Sequence, residues 1–266
     1  MIRVAAVGDV HVDADVVGRF RPSLSDIAEH ADVLLIAGDL TRHGTLEEAK
    51  CVLQEFGGLP VPVVVVLGNH DYQSDLQMEM ADLLTEGGLT VLEGTGIVLP
   101  IRDQCLGVAG VKGFGGGFPG RTAAAFGEPE MKAFALHGEL SARALEVALR
   151  GLDCDIKVAL THYSPVPDTL VGEPLEIYPF LGSFRLAKAI DNAGAAFALH
   201  GHAHYGSERG RTPGGVEVRN VAHPVIGKAY SVFHLGGTGG SSPRRRLTLA
   251  SRRRRPPGTV RGSQGG

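Results

Sequence analysis

The strongest constraint on the fold of this chain is a set of five short apolar runs, each followed directly by polar residues. Each run is shorter than a typical helix and is bounded by turn-forming residues, which is typical of a buried β-strand. The runs span residues 2–7, 33–36, 61–67, 156–160 and 195–199. Helical patterns separate the first three runs, so the order β-α-β-α-β predicts a parallel sheet with crossover helices. Functional groups of such sheets lie outside the carboxyl ends of the strands, where the polar residues follow here.

The helix after the second run has the clearest local signals. Thr45 and Glu48 have the spacing of a capping box, apolar residues follow at helical spacing, and Gly57 and Gly58 end the pattern. Further helices are predicted at residues 74–86, 140–149 and 184–192, with a weaker candidate at 16–29; further strands are predicted at 90–92, 97–99 and 104–111, and a closing meander at 206–235. Lys112 and the glycine-rich residues 113–120 either cover a site or make turns.

The charge distribution divides the chain in two. Residues 237–266 contain eight Arg and no acidic residue, and their Gly, Ser and Pro content predicts disorder. The remaining residues, 1–236, carry 18 Lys and Arg against 29 Asp and Glu, a net charge of −11, and are predicted to form one domain. An acidic body suits a cation site. The Arg-rich segment is either a solvated extension or a contact to RNA or another polyanion.

Cysteine usage and hydropathy predict a cytoplasmic protein. The three Cys lie far apart with no Cys-x-x-Cys pair, which argues against a disulfide framework and fits a reducing compartment. The N-terminus lacks the pattern of a signal peptide, and no apolar run approaches the ~20 residues that span a bilayer. We therefore expect no membrane partner.

The polar residues after the apolar runs form a candidate metal cluster. They are Asp9 and His11, then Asp39, then Asn69, His70 and Asp71, then His162, then His202 and His204. Residues two apart at an extended strand end point to the same side, so Asp9 and His11 can reach one ion, as can His202 and His204. Imidazole, carboxylate and amide ligands suit Mn, Fe, Zn or Co. Without His70 and Asp71, which suit a proton donor and its partner, seven candidate ligands remain, about right for two divalent ions, and Asp39 is the natural bridge.

The motifs Asp-x-His, Gly-Asp, Gly-Asn-His-Asp, Thr-His and Gly-His-x-His, in this order, resemble those of the calcineurin-like metallophosphoesterase superfamily. The resemblance covers roughly residues 2–235 and fills every signature ligand position. It implies an α/β protein with a four-layer αββα sandwich of two mixed β-sheets and a dinuclear metal site at the strand ends. It assigns one metal to Asp9, His11 and His204, the other to Asn69, His162 and His202, and the bridge to Asp39.

The same resemblance implies roles for the remaining motif residues. His70 would contact the phosphate and protonate the leaving oxygen, and Asp71 would orient His70. The implied activity is metal-dependent hydrolysis of a small phosphoester, and a phosphodiester is favoured because the Gly-Asn-His-Asp form, Thr41 and Gly44 are similar to bacterial phosphodiesterases that accept cyclic nucleotides. Candidate substrate contacts are Arg42, His43 and Tyr163.

Two alternatives stay open. Arg42 stands where that class often has an acidic residue, which favours a more anionic substrate such as a phosphomonoester. A non-catalytic scaffold of the same fold, or an RNA-binding protein, is the alternative of another class. The oligomeric state is not predicted.

Overall fold

A computed structural model of the chain describes residues 1–236, and the Arg-rich segment 237–266, with its predicted disorder, lies outside the described residues. Within the described part, no helix is both long and apolar enough to cross a membrane. The strands are β1 (Ile2–Val7), β2 (Val33–Ala37), β3 (Val63–Val66), β4 (Thr90–Val91), β5 (Thr95–Ile101), β6 (Gln104–Val111), β7 (Gly117–Phe118), β8 (Arg121–Thr122), β9 (Ile156–Thr161), β10 (Phe197–His200), β11 (Arg209–Arg211), β12 (Glu217–Asn220) and β13 (Ser231–Leu235). The α-helices are α1 (Ile27–His30), α2 (Leu46–Phe56), α3 (Gln77–Glu86), α4 (Pro129–Gly151), α5 (Tyr178–Leu181), α6 (Phe184–Ala193) and α7 (His223–Ile226).

The strands form two large mixed sheets and a small hairpin of β7 and β8. The first sheet has the order β13-β1-β2-β3-β4, in which β1 to β4 are parallel and β13 pairs antiparallel to β1. The second has the order β11-β12-β10-β9-β6-β5, in which β12, β10, β9 and β6 are parallel and the outer strands β11 and β5 are antiparallel. The predicted parallel arrangement of the first three apolar runs is confirmed, and the fourth and fifth runs form the parallel neighbours β9 and β10 of the second sheet.

Three apolar clusters show four layers. The central cluster joins inward-facing residues of both sheets, for example Val4 and Val64 of the first sheet with Val158 of the second. A second cluster packs α2 and α3 on the outer face of the first sheet, and a third packs α4 and α6 on the outer face of the second. The predicted αββα sandwich is therefore confirmed, and the carboxyl ends of the parallel strands from both sheets meet along one edge.

Local signals placed α2 correctly. Glu48 N donates to Thr45 Oγ1 over 3.2 Å and Thr45 N donates to the Glu48 carboxylate over 3.3 Å, so the capping box forms. The prediction for α4 was too short, because the helix begins at Pro129 rather than at residue 140. Gly138 interrupts the sequence pattern there, yet the helix needs it, since a Cβ at this position would lie 2.6 Å from Gly115 O.

The predicted meander over residues 206–235 was wrong. β11 and β12 form a hairpin at the edge of the second sheet, whereas β13 pairs with β1 in the first. The helix α7 follows β12 and precedes β13, so it connects the second sheet to the first. Sequence alternation could not separate these strands, because both hairpin and crossover leave the same apolar pattern.

Candidate metal centre and active site

Strained backbone marks the edge at which the parallel strands end. Asp9, His11 and Asp39 have φ of 54°, 41° and 50°, and His202 has φ of 70°. These four are among six non-glycine residues with positive φ in the described chain. Each such conformation costs about 1–3 kcal/mol and persists where the surroundings impose it, often at functional sites. Four of the seven predicted metal ligands thus adopt a left-handed backbone conformation that non-glycine residues rarely take.

One group of ligand atoms gathers at the end of β1. Asp9, His11, Asp39 and His204 each offer an oxygen or nitrogen within 4.8 Å of the others. His204 Nε2 lies 2.8 Å from Asp9 Oδ1, and His11 Nε2 lies 3.7 Å from Asp39 Oδ2. The His11 Nε2 atom is buried and has no hydrogen-bond partner among the described residues. An orphaned buried nitrogen calls for an explanation, and a cation beside it supplies one.

A second group lies beside the first and shares Asp39. Asp39, His162 and His202 also offer ligand atoms within 4.8 Å of one another. His162 Nε2 lies 3.3 Å from Asp39 Oδ1 and 2.9 Å from Asn69 Oδ1. The structure therefore brings all seven predicted ligands together, in two groups with Asp39 in common.

The ring of His162 has the orientation expected of a metal ligand. Its Nδ1 lies 2.9 Å from the carbonyl oxygen of Ala37, which can only accept, so the proton belongs on Nδ1. Its Nε2 then presents a lone pair toward Asn69 Oδ1, itself an acceptor. A backbone carbonyl that fixes the tautomer is a common support for a histidine ligand. Two acceptors that face each other fit a shared cation.

Burial favours the neutral form of three of the four imidazoles. Burial lowers the pKa of His11 to about 4 and that of His202 to about 3, and it lowers the pKa of His162 well below its usual range. The pKa of His204 is raised, chiefly by its hydrogen bond to Asp9. Burial, with the nearby charges of Asp9 and Asp71, raises the pKa of Asp39 well above its usual range. Neutral imidazoles are the form that binds metals, and a buried carboxylate of this kind is stabilised by a divalent cation. The residues present therefore fit divalent metal ions.

Glycines let the motif loops approach closely. A Cβ at position 68 would overlap Asp39 Oδ1, and one at position 201 would overlap Asp9 Oδ2. The glycines of Gly-Asn-His-Asp and Gly-His-Ala-His are thus required by packing against the carboxylates, which explains why these two motifs begin with glycine.

His70 lies beside the metal ligands without belonging to either group. Its Nδ1 lies 2.8 Å from Arg42 O, its Nε2 lies 4.0 Å from Asp39 Oδ2, and its backbone N donates to Asp39 Oδ1 over 2.9 Å. The side chain is 38% exposed, so solvent and substrate can reach it. With Nδ1 held by a carbonyl, Nε2 is the atom that faces the site.

The predicted contact between Asp71 and His70 was wrong. Asp71 is fully buried, and its carboxylate accepts hydrogen bonds from Leu40 N, from Thr41 N and Oγ1, and from Gly68 N, over 2.6–3.1 Å. It clamps the loop after β2 to the loop after β3. The ring of His70 is oriented by the Arg42 carbonyl instead, because the short helical turn at residues 70–72 directs the two side chains apart.

The three predicted substrate contacts differ in their surroundings. The Arg42 guanidinium pairs with Asp13 over 2.5 Å and is 45% exposed, and His43 binds Glu48 over 2.8 Å and is 55% exposed. The Tyr163 ring is 8% exposed and stacks at 4.3 Å from that of His202, which brings it to the metal ligands. Arg42 and His43 lie on the rim, whereas Tyr163 lines the interior.

Sequence reasoning treated Lys112 as part of a covering loop or a turn, but its ammonium group is buried beside Tyr163. The signal was present, because Lys112 is the polar residue that directly follows the apolar strand β6. Like the predicted ligands, Lys112 is therefore placed at the edge where the parallel strands end.

Comparison with known proteins agrees with the fold and the motifs. A model of the calcineurin-like phosphoesterase family matches residues 2–206. The phosphopantetheinyl hydrolase of Mycobacterium tuberculosis superposes with a TM-score of 0.62 at 16% identity, over 82% of this chain and 88% of that chain. TT1561 of Thermus thermophilus superposes with a TM-score of 0.55 at 18% identity, over 82% and 88%. GAP50, the anchor in the inner membrane complex of Plasmodium, superposes with a TM-score of 0.52 at 10% identity, over 84% and 72%. No curated protein matches the sequence significantly. At these identities the structural likenesses concern the fold.

Proposed function

The chain belongs to the calcineurin-like phosphoesterase family, and we propose that it hydrolyses a phosphodiester with two divalent metal ions. The observation that carries the proposal is the sharing of Asp39 by two groups of ligand atoms. Asp9, His11 and His204 would hold one ion, Asn69, His162 and His202 the other, and Asp39 would contact both. Bound there, the ions would neutralise charge on the phosphoryl group and lower the pKa of a water molecule. The ligand set suits Mn, Fe, Zn or Co.

His70 is the residue that acts on the substrate directly. Its Nδ1 is held by Arg42 O, so a proton on Nε2 can be donated to the oxygen of the leaving group. General acid assistance of this kind contributes roughly 10²–10⁴-fold. Asp71 acts through the backbone, since it holds the loop on which the Arg42 carbonyl lies.

A phosphomonoester is the second candidate substrate, and two cations favour it. Arg42 lies on the rim and Lys112 lies inside, and either can offset the additional negative charge of a monoester. A phosphodiester stays the first candidate substrate, because the Gly-Asn-His-Asp motif, Thr41 and Gly44 are similar to the corresponding residues of bacterial phosphodiesterases.

A non-catalytic role is the remaining alternative, since GAP50 shares the fold and is an anchor. The complete set of seven ligands and the accessible His70 support catalysis. The predicted polyanion contact of residues 237–266 and the cytoplasmic location stay predictions.

The test is metal-dependent turnover. The protein is stripped with a chelator, reloaded with Mn, Fe, Zn or Co, and assayed with bis(para-nitrophenyl) phosphate, para-nitrophenyl phosphate, cyclic nucleotides and RNA. We expect hydrolysis of the diester that depends on the added metal and is lost in Asp39→Asn, whereas the surface variant Asp153→Asn retains it. No turnover of any ester with any of these metals would favour the scaffold.

A further inference from the structure

Lys112 occupies a position at the active-site edge that corresponds to a metal ligand on the next strand. It directly follows β6, which is parallel to β9 with Val111 opposite Thr161. Lys112 is therefore level with His162, and its carbonyl oxygen accepts hydrogen bonds from His162 N and Tyr163 N, each over 3.0 Å. The end of β6 thus contributes a cation where neighbouring strands contribute ligands.

The side chain of Lys112 is enclosed by aromatic rings. The residue is 7% exposed, and its Nζ lies 4.7 Å from the ring centroid of Tyr72, 5.2 Å from that of Phe114 and 5.3 Å from that of Tyr163. Cation–π contacts of this kind stabilise an ammonium group and hold it in place. Tyr72 follows His70 and Asp71, and Tyr163 follows His162, so the cage is built from the same loops as the catalytic site.

The buried ammonium group has spare hydrogen-bonding capacity. Among residues 1–236 no carboxylate forms an ion pair with it, and its only acceptor there is Gly113 O, at 3.5 Å. The Glu93 carboxylate accepts from the backbone N of Lys112 over 3.1 Å, not from the side chain. An ammonium group has three donors, and a buried charge without a direct partner is costly. These features fit a group that receives an anion.

The positive charge of Lys112 acts electrostatically on two of the predicted metal ligands, Asp39 and His162. Burial dominates the pKa shifts of Asp39 and His162, and the positive charge of Lys112 contributes to both by lowering the pKa of each group. An anion held by the metals at Asp39 would therefore lie within the field of this ammonium group.

We propose that the Lys112 ammonium group, held in the cage of Tyr72, Phe114 and Tyr163, binds an anionic oxygen of the substrate's phosphoryl group. This inference rests on the proposed phosphoesterase function and names a further residue that contacts the substrate. A phosphoryl group with an additional negative charge gains most from such a contact. Lys112 therefore raises the preference for a monoester over a diester relative to a site without it.

The direct test is the affinity for inorganic phosphate, measured by calorimetry on the Mn-loaded protein. Removal of a hydrogen bond to a charged group weakens binding by about 10- to 100-fold. We expect this loss in Lys112→Met and a smaller loss in Lys112→Arg, which keeps the charge. The matched control is Lys157→Met, since Lys157 lies near the opposite end of β9 and should leave phosphate affinity unchanged. Equal affinity in Lys112→Met and in the wild-type protein would overturn the proposal.

Kinetics separate a substrate contact from a structural role. We expect Lys112→Met to retain its metal content, to raise KM more than it lowers kcat, and to lose more kcat/KM on para-nitrophenyl phosphate than on bis(para-nitrophenyl) phosphate. Loss of metal, or equal losses of kcat on both esters, would show that Lys112 only supports Asp39 and would refute the contact. If Lys112→Met fails to fold, Lys112→Gln decides, because it keeps a polar side chain without the charge: a loss of phosphate affinity of about 10- to 100-fold supports the contact, and unchanged affinity refutes it. If the wild-type protein hydrolyses neither ester, the proposed function fails, and phosphate affinity still decides the role of Lys112.

Discussion

Replacement of Asp71 by Asn tests whether this residue clamps two loops or orients His70. The carboxylate accepts four hydrogen bonds, two on each oxygen, from Leu40, Thr41 and Gly68. In Asp71→Asn one oxygen becomes an amide NH₂, which faces two buried donors and can accept from neither. Each unsatisfied buried donor costs about 1–3 kcal/mol, so the free energy of unfolding should fall by roughly 2–6 kcal/mol.

The assay is urea unfolding of the metal-free and Mn-loaded proteins, followed by circular dichroism. Asp75→Asn is the matched control, because Asp75 is exposed and has φ of 58°, a conformation that Asn tolerates. The clamp predicts a large loss of stability in Asp71→Asn and almost none in Asp75→Asn. Unchanged stability with a large loss of turnover in Asp71→Asn would refute the clamp and restore a direct role at His70.

Three further outcomes are expected. Asp39→Asn should lower metal content, measured by elemental analysis, and turnover together, because both ligand groups share this carboxylate; normal metal content would contradict the sharing. His70→Ala should retain its metals but lower kcat by roughly 10²–10⁴-fold on esters with poor leaving groups and less on para-nitrophenyl esters; equal turnover on a poor leaving group would remove the acid role. The metal-free protein should lose stability as pH falls below the ordinary histidine pKa of 6.5, because folding lowers the pKa of His11 to about 4 and of His202 to about 3 and the unfolded chain then binds more protons at these two sites. The raised pKa values of His204 and Asp39 act with the opposite sign and offset part of this loss. Thermal unfolding between about pH 8 and pH 5 measures this, and a flat profile would contradict it.

The clustering of the candidate ligands was predictable because each of them lies next to a strong local signal. Asp9, Asp39 and Asn69 each follow an apolar run and a glycine, and the strands that precede them are parallel neighbours. The carboxyl ends of these strands therefore lie side by side at one edge of the sheet, independently of the conformation of the connecting loops. The assignment of His162 and His202 to one ion and of His204 to the other was implied only by the resemblance, since sequence order does not say how two sheets pack.

The error at Asp71 has a different origin. A carboxylate adjacent to a histidine in sequence suggests a contact, but consecutive side chains in a helical turn point in different directions. Three of its four hydrogen bonds come from Leu40 and Thr41, about thirty positions away in the loop after β2. The partners of Arg42 and the cage around Lys112 are of the same kind, because their contacts join segments that are distant in the chain.

The amino-acid sequence by itself therefore predicted a cluster of candidate metal ligands, since parallel strands carry their terminal residues to one edge of the sheet, and its resemblance to a known family implied the phosphoesterase reaction class. Only the tertiary structure decided the surroundings of those ligands. The packing of one sheet on the other made Asp39 common to both ligand groups and buried the His162 ring. The loops after the neighbouring strands β2 and β3 gave His70 a carbonyl partner, and the loops of both sheets enclosed Lys112 between aromatic rings. Such contacts depend on the directions of side chains from separate loops, and these directions are set by close packing.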